Sequence, residues 1–141
     1  MRAPEPRVGV SAAATAVFSF NIPGDPRFQD DRTRRALSMA LDRQKLVQVA
    51  LQGYGKFIPI HGWPFIFDKF PTDDQLGKWW KYDPAQAKAL LTAAGQEKLD
   101  FTVVIIQGQE PASSAMADMF RAVGVTLKTQ VLASIADTAR Q

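Results

Sequence analysis

The spacing of apolar and polar positions changes several times along the chain, and each change marks an element. Over Ala12 to Phe20, the residues Ala14, Ala16, Phe18 and Phe20 alternate with Thr15, Val17 and Ser19, the period of two expected of a strand. Asn21-Ile22-Pro23-Gly24-Asp25-Pro26 then gathers turn formers and two prolines, which end the strand in an irregular link. From Asp30 or Asp31, either able to cap a helix, no Pro or Gly intervenes before Gly53, and the pattern predicts one long helix over 31–52. Leu37, Ala40, Leu41, Val47 and Leu51 fall near one stripe, with Arg32, Arg34, Arg35, Asp42, Arg43 and Lys45 mostly off it.

Residues 53–81 break all periodicity. Gly53, Gly55, Gly62 and Gly77 and Pro59, Pro64 and Pro71 are mixed there with Phe57, Trp63, Phe65, Phe67, Phe70, Trp79 and Trp80, an aromatic loop of a length that compact domains keep for function or for covering something. Asp83-Pro84 opens the clearest helix, 84–94, with Ala87, Leu90, Leu91 and Ala94 at helical spacing and Gly95 as its stop. Phe101 to Ile106 is a nearly unbroken apolar run, which predicts a strand buried on both faces. A helix over 111–123 follows, with Ala112, Ala115, Met116, Met119, Phe120 and Val123 on one face and Gly124 closing it. A strand from Val125 to Leu132 completes a βαβ unit, so the fold class is α/β with a small parallel sheet and flanking helices.

Size and charge narrow this picture. The 141 residues, 46% hydrophobic, suit one core, and 17 Lys and Arg against 14 Asp and Glu leave a surplus of only three positive charges. No nucleic-acid partner follows from so small a surplus, and Arg32, Arg34 and Arg35 stand beside Asp30, Asp31 and Asp42 as a paired, solvated face. Cysteine is absent, which removes disulfides and thiolate metal sites. No apolar run reaches membrane-spanning length, and Met1 to Arg7 lacks the apolar core of a signal peptide.

Chemistry-bearing motifs are scarce. Gly53-Tyr54-Gly55 lacks the third glycine of a dinucleotide loop and follows a helix. His61 is the single histidine, too few for a metal site, and Ser113-Ser114 read as first-turn helix residues rather than nucleophiles. Asp73-Asp74, being adjacent, point apart and read as surface. No catalytic residue, cofactor or metal is therefore expected. Trp63, Trp79 and Trp80 carry the most weight, either as stacking surfaces for a ligand or as a plug over the core.

Three segments carry a resemblance. Phe18-Ser19-Phe20-Asn21 followed by Asp31-Arg32-Thr33-Arg34-Arg35-Ala36-Leu37-Ser38-Met39-Ala40-Leu41-Asp42-Arg43 is the first, the Gly/Pro/Trp-rich stretch Gly53 to Trp80 the second, and Tyr82-Asp83-Pro84-Ala85-Gln86-Ala87-Lys88-Ala89-Leu90-Leu91-Thr92-Ala93-Ala94-Gly95 the third. In this order they resemble extracellular solute-binding proteins of family 5, the peptide- and nickel-type receptors of ABC importers. The resemblance implies a type II periplasmic-binding-protein fold, of which residues 1–141 form part of one α/β lobe of a longer two-lobed protein. It implies non-catalytic capture of a peptide or other small solute, delivery to an ABC permease, and a periplasmic or extracytoplasmic location at the membrane face. It places candidate ligand contacts at Phe20, Asn21, His61, Trp63 and Trp79. Surface meant for the partner lobe opens the way to self-association of the isolated lobe. The alternative is a small cytoplasmic α/β interaction or regulatory domain that uses the Arg-rich helix.

Overall fold

The computed structural model describes residues 23–53, 69 and 71–133. The strand expected over 12–20 lies outside them, as does most of the aromatic loop. A 3-10 turn, Pro26–Phe28, comes first, capped by the Asp25 carboxylate, which accepts from the Arg27 N–H. Phe28 is thereby turned inward and buried. Its ring meets Phe101 edge-on at 5.4 Å, and Phe101 in turn meets Phe120 at 6.1 Å. The Arg27 guanidinium forks onto Asp25 and donates to the Asp100 carbonyl at 2.7 Å, which ties this turn to the first described strand.

Where one helix was expected over 31–52, the chain forms two: α1, Asp31–Met39, and α2, Arg43–Leu51. The cause is local. Asp42 adopts an extended backbone and its side chain accepts from the Lys45 N–H, so a capping residue inside the apolar pattern starts a new helix. The break re-phases the buried stripe. Leu37 remains in the core, but in α2 it is Leu46 that is buried, while Leu51, expected inside, is exposed together with Val49.

A single turn of helix, α3, Asp73–Leu76, carries a reciprocal Thr72/Gln75 capping box, and a second 3-10 turn, Lys78–Trp80, follows it. Next comes α4, Pro84–Ala93, with Asp83 as N-cap and Pro84 at the first position, as the sequence predicts. It closes with Gly95 at φ +68° and a bond from the Gln96 N–H to the Leu91 carbonyl.

The βαβ unit is β1, Asp100–Ile106, α5, Glu110–Ala122, and β2, Thr126–Leu132. The two strands pair in parallel, Asp100 opposite Thr126 through Ile106 opposite Leu132. Ser113 of α5 is buried and shares a 2.6 Å hydrogen bond with the Thr129 hydroxyl, a structural tie between helix and strand. β1 is not buried on both faces as its apolar run suggested. Its burial alternates, with Ile105 inside and Val104 44% exposed, because helices cover one face of these two strands among the described residues.

One apolar cluster joins these pieces. Leu37, Met39 and Ala40 from α1 and its end meet Ala87 and Leu91 of α4, and the cluster continues through Leu99 to Phe120, Val123 and Val125. α1 lies along α4, and α2 rests on α5.

Candidate functional site

Of the aromatic side chains of the loop over 53–81, the described structure holds Trp79 and Trp80, in the Lys78–Trp80 turn, which is built against the junction of α1 and α2. Trp79 is half-buried and packs on the main core cluster. Two cations stand at its ring, the Arg35 guanidinium at 4.7 Å and the Lys78 ammonium at 4.2 Å from the centroid. Arg35 is held there by Asp31, 2.5 Å away and one helical turn earlier. Trp80, also half-buried, lies under the Arg43 guanidinium at 4.0 Å.

Arg43 is the most connected side chain of this region. One terminal nitrogen donates to the carbonyls of Ser38 at 3.1 Å and Trp80 at 2.7 Å, with Leu41 at 3.5 Å. The other donates to the Ser38 hydroxyl at 2.8 Å, and that hydroxyl donates to the Trp79 carbonyl at 2.7 Å. The Asp83 N–H caps the Met39 carbonyl at 2.8 Å, so the chain leaving the turn also returns to the end of α1. No described carboxylate forms an ion pair with Arg43. Burial pushes its pKa down to about 10, opposed in part by the Asp73 charge, so it remains a cation at neutral pH. Carbonyl oxygens at a helix C-terminus, where the macrodipole is negative, take the place of a counter-ion.

The other side chains singled out by sequence fall into place around this turn. Asp74 is exposed and bonded to Lys81 at 2.5 Å, which holds its carboxyl below the usual carboxylate range and makes it a surface ion pair. Arg32 pairs with Asp30 at 2.7 Å, and Arg34 with Asp31 at 3.0 Å while also donating to the Phe28 and Gln29 carbonyls. The basic face of α1 is therefore matched by its own aspartates, as the sequence reading expected. Of the candidate ligand contacts, only Trp79 belongs to the described residues; Phe20, Asn21, His61 and Trp63 lie outside them. Sequence reasoning passed over Arg43, which it set on the polar side of a continuous helix. The available signal was Asp42 with Lys45 three residues on, a cap inside the pattern that puts Arg43 at a first helical position. Among the described residues no group of acidic and histidine side chains is arranged to hold a metal ion. Nor is any described helix long and apolar enough to cross a membrane.

Comparison with known proteins places this architecture. The oligopeptide-binding protein AppA of Bacillus subtilis is 28% identical over 121 residues, which cover 74% of this chain and 22% of that protein. A dipeptide-binding protein of Escherichia coli is 32% identical over 123 residues, 79% of this chain and 21% of the relative. The chain thus spans about a fifth of the length of these relatives. The solved structure of AppA in complex with a nonapeptide superposes with a TM-score of 0.67 at 22% identity, over 84% of this chain and 26% of that one. That superposition identifies the fold as part of a type II periplasmic binding protein, the α/β class expected. The relatives are named as binding proteins, which accords with the expectation of a chain that is not an enzyme. The model of the middle region of bacterial extracellular solute-binding proteins, family 5, matches residues 4–141, and the chain belongs to that family.

Proposed function

We propose that this chain is part of one lobe of the substrate-binding component of an ABC importer, which captures a peptide or similar small solute outside the cytoplasm and delivers it to a membrane permease. The observation that carries this reading is the extent of the family match, residues 4–141, over helices, turn and βαβ unit alike. Physically, a two-lobed receptor closes around its solute by a hinge, and each lobe supplies part of the wall. A turn bearing Trp79 and Trp80, anchored to a helix joint, suits such a wall, with Phe20, Asn21, His61 and Trp63 as further contacts of the same lobe. Residues 1–141 alone hold part of the contacts and bind more weakly than the complete receptor.

The test is calorimetric titration of the protein expressed from its complete reading frame with trialanine, tetra-alanine and penta-alanine at low and high salt. Capture of peptide predicts saturable binding to at least one of these that changes little with ionic strength. Saturable binding of an acidic peptide instead, falling steeply with salt and abolished by charge reversal at Arg32, Arg34 and Arg35, overturns it in favour of an interaction domain.

A further inference from the structure

We infer that Arg43 is a positioning residue for the aromatic turn: it sets the placement of Trp79 and Trp80 through their main-chain carbonyls and without touching the solute itself. The inference rests on the capture reading only for what the turn is held for; the holding is argued from geometry.

Three observations converge on it. The guanidinium spans the junction, reaching the Ser38 carbonyl at 3.1 Å on the α1 side and the Trp80 carbonyl at 2.7 Å on the turn. Its second nitrogen acts through the Ser38 hydroxyl, which passes the constraint to the Trp79 carbonyl at 2.7 Å. Consecutive peptide groups of the turn are thus fixed by one side chain, one directly and one through a single hydroxyl. The flat cation also lies 4.0 Å from the Trp80 ring centroid, so the same group fixes both main chain and ring.

The interruption between α1 and α2 gains a purpose from this. A continuous helix would have bonded the Ser38 and Met39 carbonyls to the Asp42 and Arg43 N–H groups along the helix axis, turning them away from the Arg43 guanidinium and the Asp83 N–H. Capping by Asp42 ends that ladder, leaving the Ser38 carbonyl shared between the Leu41 N–H and Arg43 and the Met39 carbonyl to the Asp83 N–H, and sets Arg43 at the first position of α2. Lysine cannot substitute, because a single ammonium lacks the second nitrogen that holds the Ser38 hydroxyl while the first reaches the Ser38 and Trp80 carbonyls, and lacks the flat face that lies on the Trp80 ring.

The experiment uses the protein from its complete reading frame and compares wild type with Arg43→Lys, Arg43→Met and Ser38→Ala. Arg121→Gln serves as control, since Arg121 makes only an exposed pair with Asp118. Hydrogen exchange is followed at the Trp80, Lys81 and Asp83 amides, and trialanine affinity is measured alongside. Exchange at these amides about tenfold faster in Arg43→Lys, with amides of α5 unchanged, is the expected result. Ser38→Ala should speed exchange less, and Arg121→Gln not at all. Trialanine affinity should fall in Arg43→Lys while the unfolding midpoint stays near that of wild type. Uniformly faster exchange across the chain in Arg43→Lys and Ser38→Ala alike marks a general stability role and overturns the inference, as does unchanged exchange at the three amides. Should Arg43→Met fail to fold, Arg43→Lys and Ser38→Ala carry the test. If wild type binds none of the alanine peptides while the turn loosens as described, the positioning role stands and the peptide reading falls; a loosened turn with unaltered affinity overturns the functional half of the inference.

Discussion

The hydroxyl of Thr33 is fully buried in the first turn of α1 and its Oγ1 has no hydrogen-bond partner among the described residues. An unpaired buried hydroxyl costs free energy that an isosteric methyl does not, so Thr33→Val should raise stability by about 1 kcal/mol. Thr33→Ser keeps the hydroxyl and loses a buried methyl, and should lower stability by about 1 kcal/mol. Urea unfolding midpoints distinguish the two, and a Val variant no more stable than wild type would mean that the hydroxyl finds a partner in solution. Gly124 supplies a second contrast at this scale. It sits at φ +90°, and a Cβ there would stand 2.8 Å from the Glu97 carbonyl oxygen. Gly108 has a similar φ of +97°, but among the described residues nothing stands within 4 Å of a Cβ built there. Gly124→Ala should therefore lose at least about 2 kcal/mol and Gly108→Ala about 1 kcal/mol, read from thermal unfolding. Sequence alone marks Gly124 as a helix stop; the carbonyl that forbids a side chain comes from residue 97 and is not legible in local pattern.

Elements whose signals are local match the sequence closely. The start of α4 at Asp83-Pro84 and the spans of α5 and β2 follow from caps, glycines and periodicity that act within a few residues. The joint between α1 and α2 did not, because an apolar period that runs on across Ala40 to Asp42 conceals a cap whose worth depends on tertiary acceptors. Exposed ion pairs, most of them within one turn or helix, set a pH response. Asp25, Asp30, Asp74 and Asp100 all have carboxyls held below their ordinary value, first by side-chain hydrogen bonds from Arg27, Arg32, Lys81 and Lys128 respectively. Carboxylates of lowered pKa contribute stability that is complete above the unfolded value of 3.8 and disappears as pH falls through the folded values. Thermal midpoints should therefore be level near neutrality and decline below about pH 4. Asp100→Asn should shrink that decline, since Asp100 meets both Lys128 at 2.7 Å and Arg27 at 3.7 Å. The exposure of these pairs keeps each contribution small.

On the scale of the whole molecule, the two strands of the sheet among the described residues are covered by helices on one face, and Val104 and Val131 are 44% and 47% exposed. Val104 and Val131 thus offer apolar surface on the other face. Residues 1–141 expressed alone should sediment with a concentration-dependent increase, and Val104→Lys should suppress it at little cost in stability. Concentration-independent sedimentation of the unsubstituted chain would refute this. Much of the candidate site, by contrast, was legible only as a collection of residue types, since a ligand wall depends on segments brought together from afar, and Trp79 alone of the five named residues belongs to the described structure. The parallel register has a kinetic corollary. β1 and β2 have no hairpin turn from which to zip, and their first pair, Asp100 with Thr126, forms only after the whole of α5 has been laid between them. Closure of that connection costs chain entropy before any ladder bond forms, so the strand signal should recover after the signal of the individual helices. The turn at Trp79 and Trp80 meets α1 and Arg43 across still longer spans, 41 residues from Ser38 to Trp79 and 37 from Arg43 to Trp80, so tryptophan fluorescence should recover no earlier than the strand signal.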